Sequence, residues 1–240
     1  MKTCLIKQPA GLGDVFFLQK LAHTYREKGY KIIWPVRDEI FWVSEYIPDV
    51  EWYKMSDDFP GKEWFQYSGF GSSENFVYID TFTADVVNRS DPMMSGTRMM
   101  SGKYRMVGLD HTDWFKYFKF NRNTKKENEL YYDVLGLNDD SEYAYVNDIV
   151  TTDALKSGKF DNRKFNYPAV NNQIIDGYSL FDWVKVFENA KEIHTPCSGL
   201  CYIIDVIDTK GKVFYYPHDE RQYEDLVIVH FNVHEWKLEF

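Results

Sequence analysis

The sequence predicts an α/β protein in which two facing Rossmann-like halves each carry a mainly parallel sheet. Strand-length apolar segments alternate with segments of helical periodicity, the pattern of parallel strands joined by crossover helices. The alternation begins again after about residue 120, although the two halves share no sequence repeat. A chain of 240 residues can form one large or two small domains. We therefore expect one domain over residues 1–120 and a second over 121–240.

The first half opens with a short apolar strand and an amphipathic helix. Phe16, Phe17 and Leu21 recur at helical spacing, and Gly29 ends that helix. Residues 57–74 are rich in glycine, serine and aromatic residues without periodicity, which predicts a surface loop. Helical spacing returns over residues 93–109. In order, the predicted elements are a strand at 4–6, a helix at 15–28, a strand at 31–36, a helix at 39–46 and strands at 50–53 and 76–80.

The second half repeats this alternation. Ser179 is a good N-cap, and Asp182 three residues later favours the same helix end. Residues 151–167 are mostly polar or basic, which predicts a mobile loop. In order, the predicted elements are a helix at 125–135, a strand at 143–147, a strand at 167–170, a helix at 179–189, a strand at 191–194, a helix at 198–208 and a strand at 212–216.

Composition excludes several classes of partner. The net charge of −9 and the pI near 5.2 oppose binding to a phosphate backbone, so we expect no nucleic-acid partner. No apolar run approaches the roughly 18 residues needed to span a bilayer, which leaves peripheral membrane contact open. Three cysteines cannot all pair, and no charged-then-apolar leader precedes the first strand. We therefore expect a cytoplasmic protein.

The stretch Gly11-Leu12-Gly13-Asp14 is the first candidate site. It joins the first strand to the first helix. Gly11 and Gly13 let the backbone adopt positive φ and approach a ligand closely, while the helix that follows offers free N–H groups. Asp14 has two interpretations at this position, because it can cap the helix or take part in chemistry.

A second candidate site lies between a strand and a helix of the second half. Thr195, Ser198 and Gly199 place small hydroxyl side chains and a glycine at this junction. Such residues add hydrogen-bond donors without steric bulk to the unsatisfied N–H groups of a helical first turn. A diphosphate is the ligand that this arrangement suits.

Together these segments resemble the GT-B glycosyltransferases, especially the heptosyltransferase-like branch and related transferases of bacteria and viruses. The first similar element is Gly-x-Gly-Asp ending at Asp14. The second is Phe120-Asn121-Arg122 with Glu129-Leu130-Tyr131 and the strand ending at Asn147, which is similar to the entry into the nucleotide-binding half. The third is the segment 189–199, which ends in a hydroxyl residue and a glycine at the donor's phosphates.

The resemblance implies an inverting, metal-independent glycosyltransferase that moves a sugar from a nucleotide-diphosphate donor to a hydroxyl of a glycan or glycoconjugate. Asp14 would take the hydroxyl proton as general base, and electrostatic stabilisation at the second site would replace a metal. It implies no cofactor and no metal, and a hinge near residue 120. The predicted substrate-binding residues are Gly11, Gly13, Arg122, Asn147, Thr195, Ser198 and Gly199.

The chain departs from that family's pattern in three ways. It is shorter than typical members, and Cys197-Ser198 replaces the acidic residue usual before the phosphate-site glycine. The match also fixes no basic residue for the diphosphate. Position alone offers a set of candidates: Arg122, Lys156, Lys159, Arg163 and Lys164.

Two other functions remain open. A non-catalytic carbohydrate- or nucleotide-binding protein could use the same scaffold, since fold does not fix function. A metal-dependent hydrolase could be centred on Asp110, His111 and Asp113, although adjacent ligands in one short loop are typical of a solvated turn. His194, at the end of an apolar strand, is interpreted as a packed histidine. The aromatic run 114–120 is interpreted as core packing rather than a sugar platform.

Overall fold

The computed structural model describes residues 2–83, 97–148, 164–196, 198–216 and 236–238. The chain divides into two compact units, Met1–Asn121 and Arg122–Phe240. Each unit contains one five-stranded sheet. Among the described residues, no helix combines the length and the apolar character needed to cross a membrane.

The sheet of the first unit has the order β3-β2-β1-β5-β4. All neighbouring strands are parallel except β4, which runs antiparallel to β5. The strands are β1 Lys2–Lys7, β2 Tyr30–Val36, β3 Glu51–Lys54, β4 Phe70–Ser72 and β5 Phe76–Asp80. The helices are α1 Leu12–Phe17, α2 Gln19–Glu27 and α3 Thr97–Arg105, with 3-10 helices at Asp38–Glu45, Lys62–Gln66 and Trp114–Lys116.

Strand β1 lies at the centre of this sheet because its residues are apolar on both faces. Cys4, Leu5 and Ile6 are fully buried, as expected for a strand covered on both sides. The aromatic run after α3 completes the core, since Trp114 and Phe118 are also buried. Their packing confirms that this run builds the core of the unit rather than an exposed sugar platform.

The sheet of the second unit has the order β10-β9-β8-β6-β7, and its neighbouring strands are all parallel. The strands are β6 Ala144–Val146, β7 Ala169–Asn171, β8 Glu192–Pro196, β9 Lys212–Tyr216 and β10 Trp236–Leu238. The helices are α4 Thr124–Asn128, α5 Val184–Asn189 and α6 Gly199–Ile204. A π-helical segment, Glu129–Val134, continues α4, and a 3-10 helix, Leu180–Trp183, precedes α5.

Several helix ends follow directly from the sequence. Asp182 Oδ2 accepts hydrogen bonds from the backbone N–H of Ser179 at 2.7 Å and from its hydroxyl at 3.0 Å, which forms the predicted capping arrangement. Asn123 caps α4 by accepting from the N–H of Lys126. Gly136 adopts φ 65° just beyond the π-helical segment, a conformation that glycine reaches without strain.

The structure corrects three sequence predictions. The helix expected over 15–28 is interrupted at Leu18, which separates α1 from α2. The helix expected over 198–208 ends at Ile204. Residues 57–74 are not a plain loop, because they contain the 3-10 helix Lys62–Gln66 and strand β4. The predicted polar loop at 151–167 lies outside the described residues as far as residue 163, as do residues 93–96 of the predicted helical segment.

Candidate functional site

The two candidate sites occupy equivalent places in the two sheets. In the first unit, β1 continues along the chain to β2 on one side, while β5 lies on its other side. In the second unit, β6 continues to β7 on one side, and β8 lies on the other. Ligands of parallel α/β sheets bind in the crevice at the carboxyl ends of strands where the strand order reverses. We name the β1/β5 crevice the charged crevice and the β6/β8 crevice the neutral crevice, after the side chains described below.

In the charged crevice, Gly11 is the N-cap of α1, and its carbonyl accepts the N–H of Val15 at 3.0 Å. Gly11 has φ 81°, which strongly favours glycine. A Cβ at this position would also overlap Oδ2 of Asp14. The glycine is therefore required twice, by its own backbone conformation and by the carboxylate beside it. Gly13 is partly buried in the first turn of α1.

Asp14 is held by a buried lysine. Its Oδ1 accepts a hydrogen bond from Nζ of Lys103 at 2.5 Å. The side chain of Lys103 is 1% exposed, whereas that of Asp14 is 26% exposed. A lysine so deeply buried needs a counter-charge, and Asp14 supplies it while keeping contact with solvent. One oxygen of the carboxylate thus has a structural partner, while part of the Asp14 side chain stays accessible to solvent.

The same lysine links Asp14 to the loop after β1. Nζ of Lys103 also donates to Oε1 of Gln8 at 3.2 Å. Oε1 of Gln8 accepts the hydroxyl of Thr81 at 3.0 Å, and the Gln8 amide donates to the carbonyl of Ala10 at 2.6 Å. Gln8 and Thr81 are both buried. This network fixes the loop that carries Gly11 and orients Asp14 from behind.

A second ion pair lies at the same edge of the sheet. Nζ of Lys7 contacts Oδ2 of Asp80 at 3.0 Å and donates to the carbonyl of Tyr67 at 2.9 Å. Oδ1 of Asp80 accepts the backbone N–H groups of Phe82 and Thr83 at 3.0 and 2.8 Å. Asp80 is fully buried, and its oxygens are therefore engaged in holding β1 and β5 together.

The neutral crevice is built from amides and hydroxyls. The side-chain amide of Asn147, just after β6, donates to Oγ1 of Thr195 at 3.0 Å and to Oγ of Ser198 at 3.1 Å. Oδ1 of Asn147 accepts the side-chain amide of Asn172 at 3.0 Å. Asn147 and Thr195 are buried, while Ser198 and Gly199 are partly exposed. The structure thus brings together four of the predicted binding residues.

Helix α6 starts at this crevice. Ser198 is its N-cap, with an extended backbone at φ −155° and ψ 171°. The helix spans only six residues, so a large macrodipole contribution is not expected from it. The hydroxyl and amide side chains must therefore supply most of the polar character of this crevice.

Arg122 is not part of the neutral crevice. Its guanidinium forms a bidentate hydrogen-bonded pair with Glu188, at 2.6 and 2.9 Å, and a second with Glu127. Hydrogen bonds that Arg122 donates to Glu127 and to Glu188 raise the pKa of Arg122 above its ordinary value, against the opposing effect of burial. The carbonyl of Glu188 accepts the N–H of Lys210, two residues before β9. Arg122 therefore lies towards the amino ends of the strands, at the edge opposite the crevice, and this position does not support its predicted role at the diphosphate.

The remaining basic candidates do not complete a phosphate site in the described chain. Lys156, Lys159 and Arg163 lie outside the described residues, as does Cys197. Lys164 is described and is exposed to solvent.

His194 is a packed residue, as the sequence indicated. It is buried, with Nδ1 2.7 Å from the hydroxyl of Tyr216 and Nε2 3.3 Å from Oε2 of Glu192. Its ring stacks on Phe214 with centroids 4.5 Å apart. Burial acts to raise the pKa of Glu192, but hydrogen bonds from Asn166 and His194 outweigh it and leave that pKa below its ordinary value.

The cluster at residues 110–113 is organised around a lysine. Nζ of Lys20 donates to the carbonyl of Asp110 at 2.5 Å and pairs with the carboxylate of Asp113. Burial lowers the pKa of His111, with Asp110 acting in the opposite direction. Within the described ranges, no three His, Cys, Asp or Glu side chains are placed to hold a metal ion together. This geometry does not support a hydrolase metal centre at Asp110, His111 and Asp113.

Sequence reasoning missed the residues that support Asp14. Lys103 and Gln8 come from separate segments, and Lys103 is 89 positions away from Asp14 along the chain. The one available signal was a lysine within a segment of helical spacing that is otherwise rich in apolar residues. Asn172 was also missed, because a lone asparagine after a short strand carries no distinctive pattern.

No protein-family model matches this chain, and no curated protein matches its sequence. The structure is similar to a glycosyl transferase of family 9 from Veillonella parvula, with a TM-score of 0.55 and 10% sequence identity over 99% of this chain and 86% of that one. Weaker likenesses are the iron-containing dodecameric glycosyltransferase TibC from enterotoxigenic E. coli (TM-score 0.49, 12% identity, 90% and 60% coverage) and E. coli heptosyltransferase WaaC with ADP-2-deoxy-2-fluoro heptose (0.46, 13%, 100% and 93%).

At this level of identity the first likeness shows a shared fold. It confirms the expected α/β class with mainly parallel sheets, and the fold is one that glycosyltransferases have.

Proposed function

We propose that this chain is an inverting glycosyltransferase that moves a sugar from a nucleotide-diphosphate donor to a hydroxyl of a glycan or glycoconjugate, without an obligatory metal or cofactor. The observation that carries the proposal is the partly exposed Asp14 carboxylate, held by buried Lys103 at the β1/β5 strand-order reversal. The shared fold with a family 9 glycosyl transferase supports it.

Asp14 is the proposed general base. Lys103 engages Oδ1, whereas Oδ2 lies beside Gly11, where a side chain would block it. An acceptor hydroxyl approaching Oδ2 can lose its proton there as its oxygen attacks the anomeric carbon of the donor. Such general-base assistance is typically worth about 10² to 10⁴ in rate.

The neutral crevice is the proposed site of the donor's diphosphate. As the glycosidic bond to phosphate breaks, negative charge grows on the leaving oxygen, and donors already in place stabilise it. The Ser198 hydroxyl and the backbone N–H of Gly199 supply such donors. Asn147 donates to the hydroxyl oxygens of Thr195 and Ser198, and Thr195 donates to the carbonyl of Pro196, so these two side chains hold Ser198 in position. Because the crevice stabilises charge with hydrogen bonds, we propose that transfer needs no divalent cation.

Cys4 is a free and buried thiol. Free thiols are typical of a reducing compartment, and we propose that the enzyme acts in the cytoplasm.

The experiment is turnover of a panel of nucleotide sugars by the full chain, with product nucleotide and anomeric configuration read by NMR, in the presence and absence of EDTA. The proposal expects release of nucleoside diphosphate with inverted configuration at undiminished rate in EDTA. Binding of a nucleoside diphosphate, seen as a thermal shift, without turnover of any donor would instead establish the binding-protein alternative. Activity abolished by EDTA would contradict metal independence.

A further inference from the structure

We infer that the exposed rings of Trp64 and Tyr67 form a subsite for the carbohydrate part of the acceptor, on the face of the first sheet that carries Tyr78. This inference rests on the proposed function, because it names the substrate class that Asp14 serves. Nothing in the sequence pattern indicated it, since residues 57–74 read as a plain loop.

The two rings are unusually exposed for aromatic side chains. Trp64 is 39% exposed and Tyr67 is 54% exposed. Their centroids lie 5.7 Å apart, with the ring planes inclined at 57°. Two aromatic faces set at this angle form an open notch rather than a flat stack, and exposed aromatic surface of this kind marks an interaction site.

The notch is held rigidly against the sheet. Trp64 packs on Phe76 and Tyr78, with ring centroids at 5.4 and 6.0 Å. The 3-10 helix that carries Trp64 starts at Gly61, whose φ is 81° and where a Cβ would come within 3.0 Å of Leu5 Cδ2. The glycine therefore allows this turn to approach the sheet closely. Because the turn is already packed in place, a ligand that binds there loses little free energy to ordering the turn.

The backbone of Tyr67 is joined to the network that holds Asp14. The Tyr67 carbonyl accepts Nζ of Lys7 at 2.9 Å and the hydroxyl of Tyr78 at 2.8 Å. The carbonyl of Lys7 accepts the Thr81 hydroxyl at 3.3 Å. Thr81 also bonds Gln8, which bonds Lys103, the partner of Asp14. The Tyr67 backbone and the Asp14 carboxylate are thus connected at the carboxyl ends of β1 and β5 through Lys7 and these hydrogen bonds. The Trp64 ring lies farther along β5, on Phe76 and Tyr78.

A carbohydrate fits this surface better than a charged partner. A sugar ring presents an apolar C–H face and polar hydroxyl edges, which matches aromatic rings that have an apolar body and a polar tip. Glu63 and Gln66, in the same turn, are exposed and can accept or donate hydrogen bonds to hydroxyls. A chain of net charge −9 is poorly suited to an anionic membrane surface or a nucleic acid.

The structure supplies a matched control at Phe70. This ring is 47% exposed, but Phe70 pairs directly with Ile79 across the β4–β5 ladder. Opposed residues share a sheet face and successive residues alternate, so Phe70 lies on the face opposite Tyr78 and Trp64. Truncating Phe70 removes an equally exposed aromatic ring without touching the notch.

The test applies the full chain and its Tyr67→Ala, Trp64→Leu and Phe70→Ala variants to an array of neutral and anionic oligosaccharides. Tyr67→Ala keeps the backbone carbonyl that anchors the turn, and Trp64→Tyr serves as the variant that retains a ring. We expect oligosaccharide binding that falls about tenfold in Tyr67→Ala and Trp64→Leu. Binding should stay within about twofold of the native value in Phe70→Ala and be largely retained in Trp64→Tyr.

Absence of oligosaccharide binding, or binding equal in all variants, overturns the inference. Ring-dependent binding to phosphatidylcholine or phosphatidylglycerol vesicles, in place of oligosaccharides, also overturns it. The two proposals fail separately. Transfer that depends on Asp14 but not on the rings removes only the acceptor subsite, whereas ring-dependent oligosaccharide binding by a chain that turns over no nucleotide sugar contradicts only the transferase function.

Discussion

The charged and neutral crevices occupy corresponding strand-order reversals, yet they are lined by opposite kinds of side chain. The first holds the ion pairs Asp14–Lys103 and Lys7–Asp80. In the second, the amide of Asn147 bonds the hydroxyls of Thr195 and Ser198. The same sheet topology thus carries charged side chains in one unit and neutral polar side chains in the other. The fold fixes where a site lies, but the side chains determine its chemistry.

The difference has a direct chemical meaning. In the charged crevice each lysine is paired with an aspartate, so the crevice offers a fixed carboxylate rather than a surplus of positive charge. A fixed carboxylate suits removal of a proton. In the neutral crevice the side chains are neutral donors with no counter-ion to displace, which suits a ligand that brings its own negative charge.

Replacing Lys103 with methionine should have a large effect on the charged crevice. The change leaves Asp14 without the group that fixes Oδ1, so we expect the rate of transfer to fall about 10²-fold, as misplacement of a catalytic group commonly costs. Donor affinity should be unchanged, and Lys103→Arg should recover part of the rate. A calorimetric titration measures donor affinity, and a pH–rate profile shows whether Lys103 acts on the proton transfer. If Lys103 is purely structural, the pH dependence of the rate should be the same in the variant and the native protein.

Replacing Asn147 with aspartate tests the neutral crevice by making it charged. A carboxylate in place of the amide would repel a diphosphate and could not donate to Thr195 and Ser198, so donor affinity should fall about 30- to 100-fold. The matched control is Asn75→Asp, which adds the same charge at an exposed position. Equal donor affinity in Asn147→Asp and Asn75→Asp would place the diphosphate elsewhere.

The sequence predicted the elements whose signal is local. Strand β5 was predicted at its observed bounds and β2 to within one residue, because apolar runs bounded by polar or glycine residues identify buried strands. The Ser179 cap was equally readable, since its partner lies three residues away. Asp14, Thr195, Ser198 and Gly199 were selected because they lie at junctions of a strand with the helix that follows it, and their roles at the site stay predictions.

What escaped prediction depends on contacts between distant segments. Lys103 reaches Asp14 across 89 positions, and nothing in a helical segment marks one lysine as buried. The turn that carries Trp64 has no periodicity and exists because Gly61 permits close packing on Leu5. Arg122 was one of five basic residues offered for the diphosphate on position alone, whereas its observed partners are Glu127 and Glu188.

Replacing Arg122 with methionine should separate stability from donor binding. Glu127 is nearly fully buried and would lose its cation, while the guanidinium itself is 36% exposed. Breaking a buried pair is costly, and solvent screening reduces that cost here, so we expect a loss of about 1–3 kcal/mol in the free energy of unfolding. Denaturant unfolding and a donor titration on the same variant check this. A large fall in donor affinity in the still-folded variant would restore Arg122 to the binding site.

The smallest effect expected is a pH dependence of stability from Glu192. The pKa of Glu192 is lowered in the folded state from its ordinary value of 4.5. The ionised carboxylate therefore stabilises the fold at pH values above that ordinary pKa, and this stabilisation is lost as the pH falls through the folded-state pKa. Glu192→Gln should therefore cost about 1 kcal/mol at pH 7 and progressively less in acid. Urea unfolding at several pH values measures this loss of stability, with Glu142→Gln at an exposed position as control. A loss of stability in Glu192→Gln that does not depend on pH would contradict the lowered pKa of Glu192.

The central claim is that the charged crevice performs the proton transfer while the neutral crevice holds the donor. It is tested most directly by comparing Asp14→Asn with Asp58→Asn, an exposed aspartate of the same unit, for both the rate of transfer and the donor dissociation constant. We expect a fall in rate of at least about 10²-fold in Asp14→Asn alone, with donor affinity equal in the native protein and both variants. Transfer at the native rate by Asp14→Asn would contradict it.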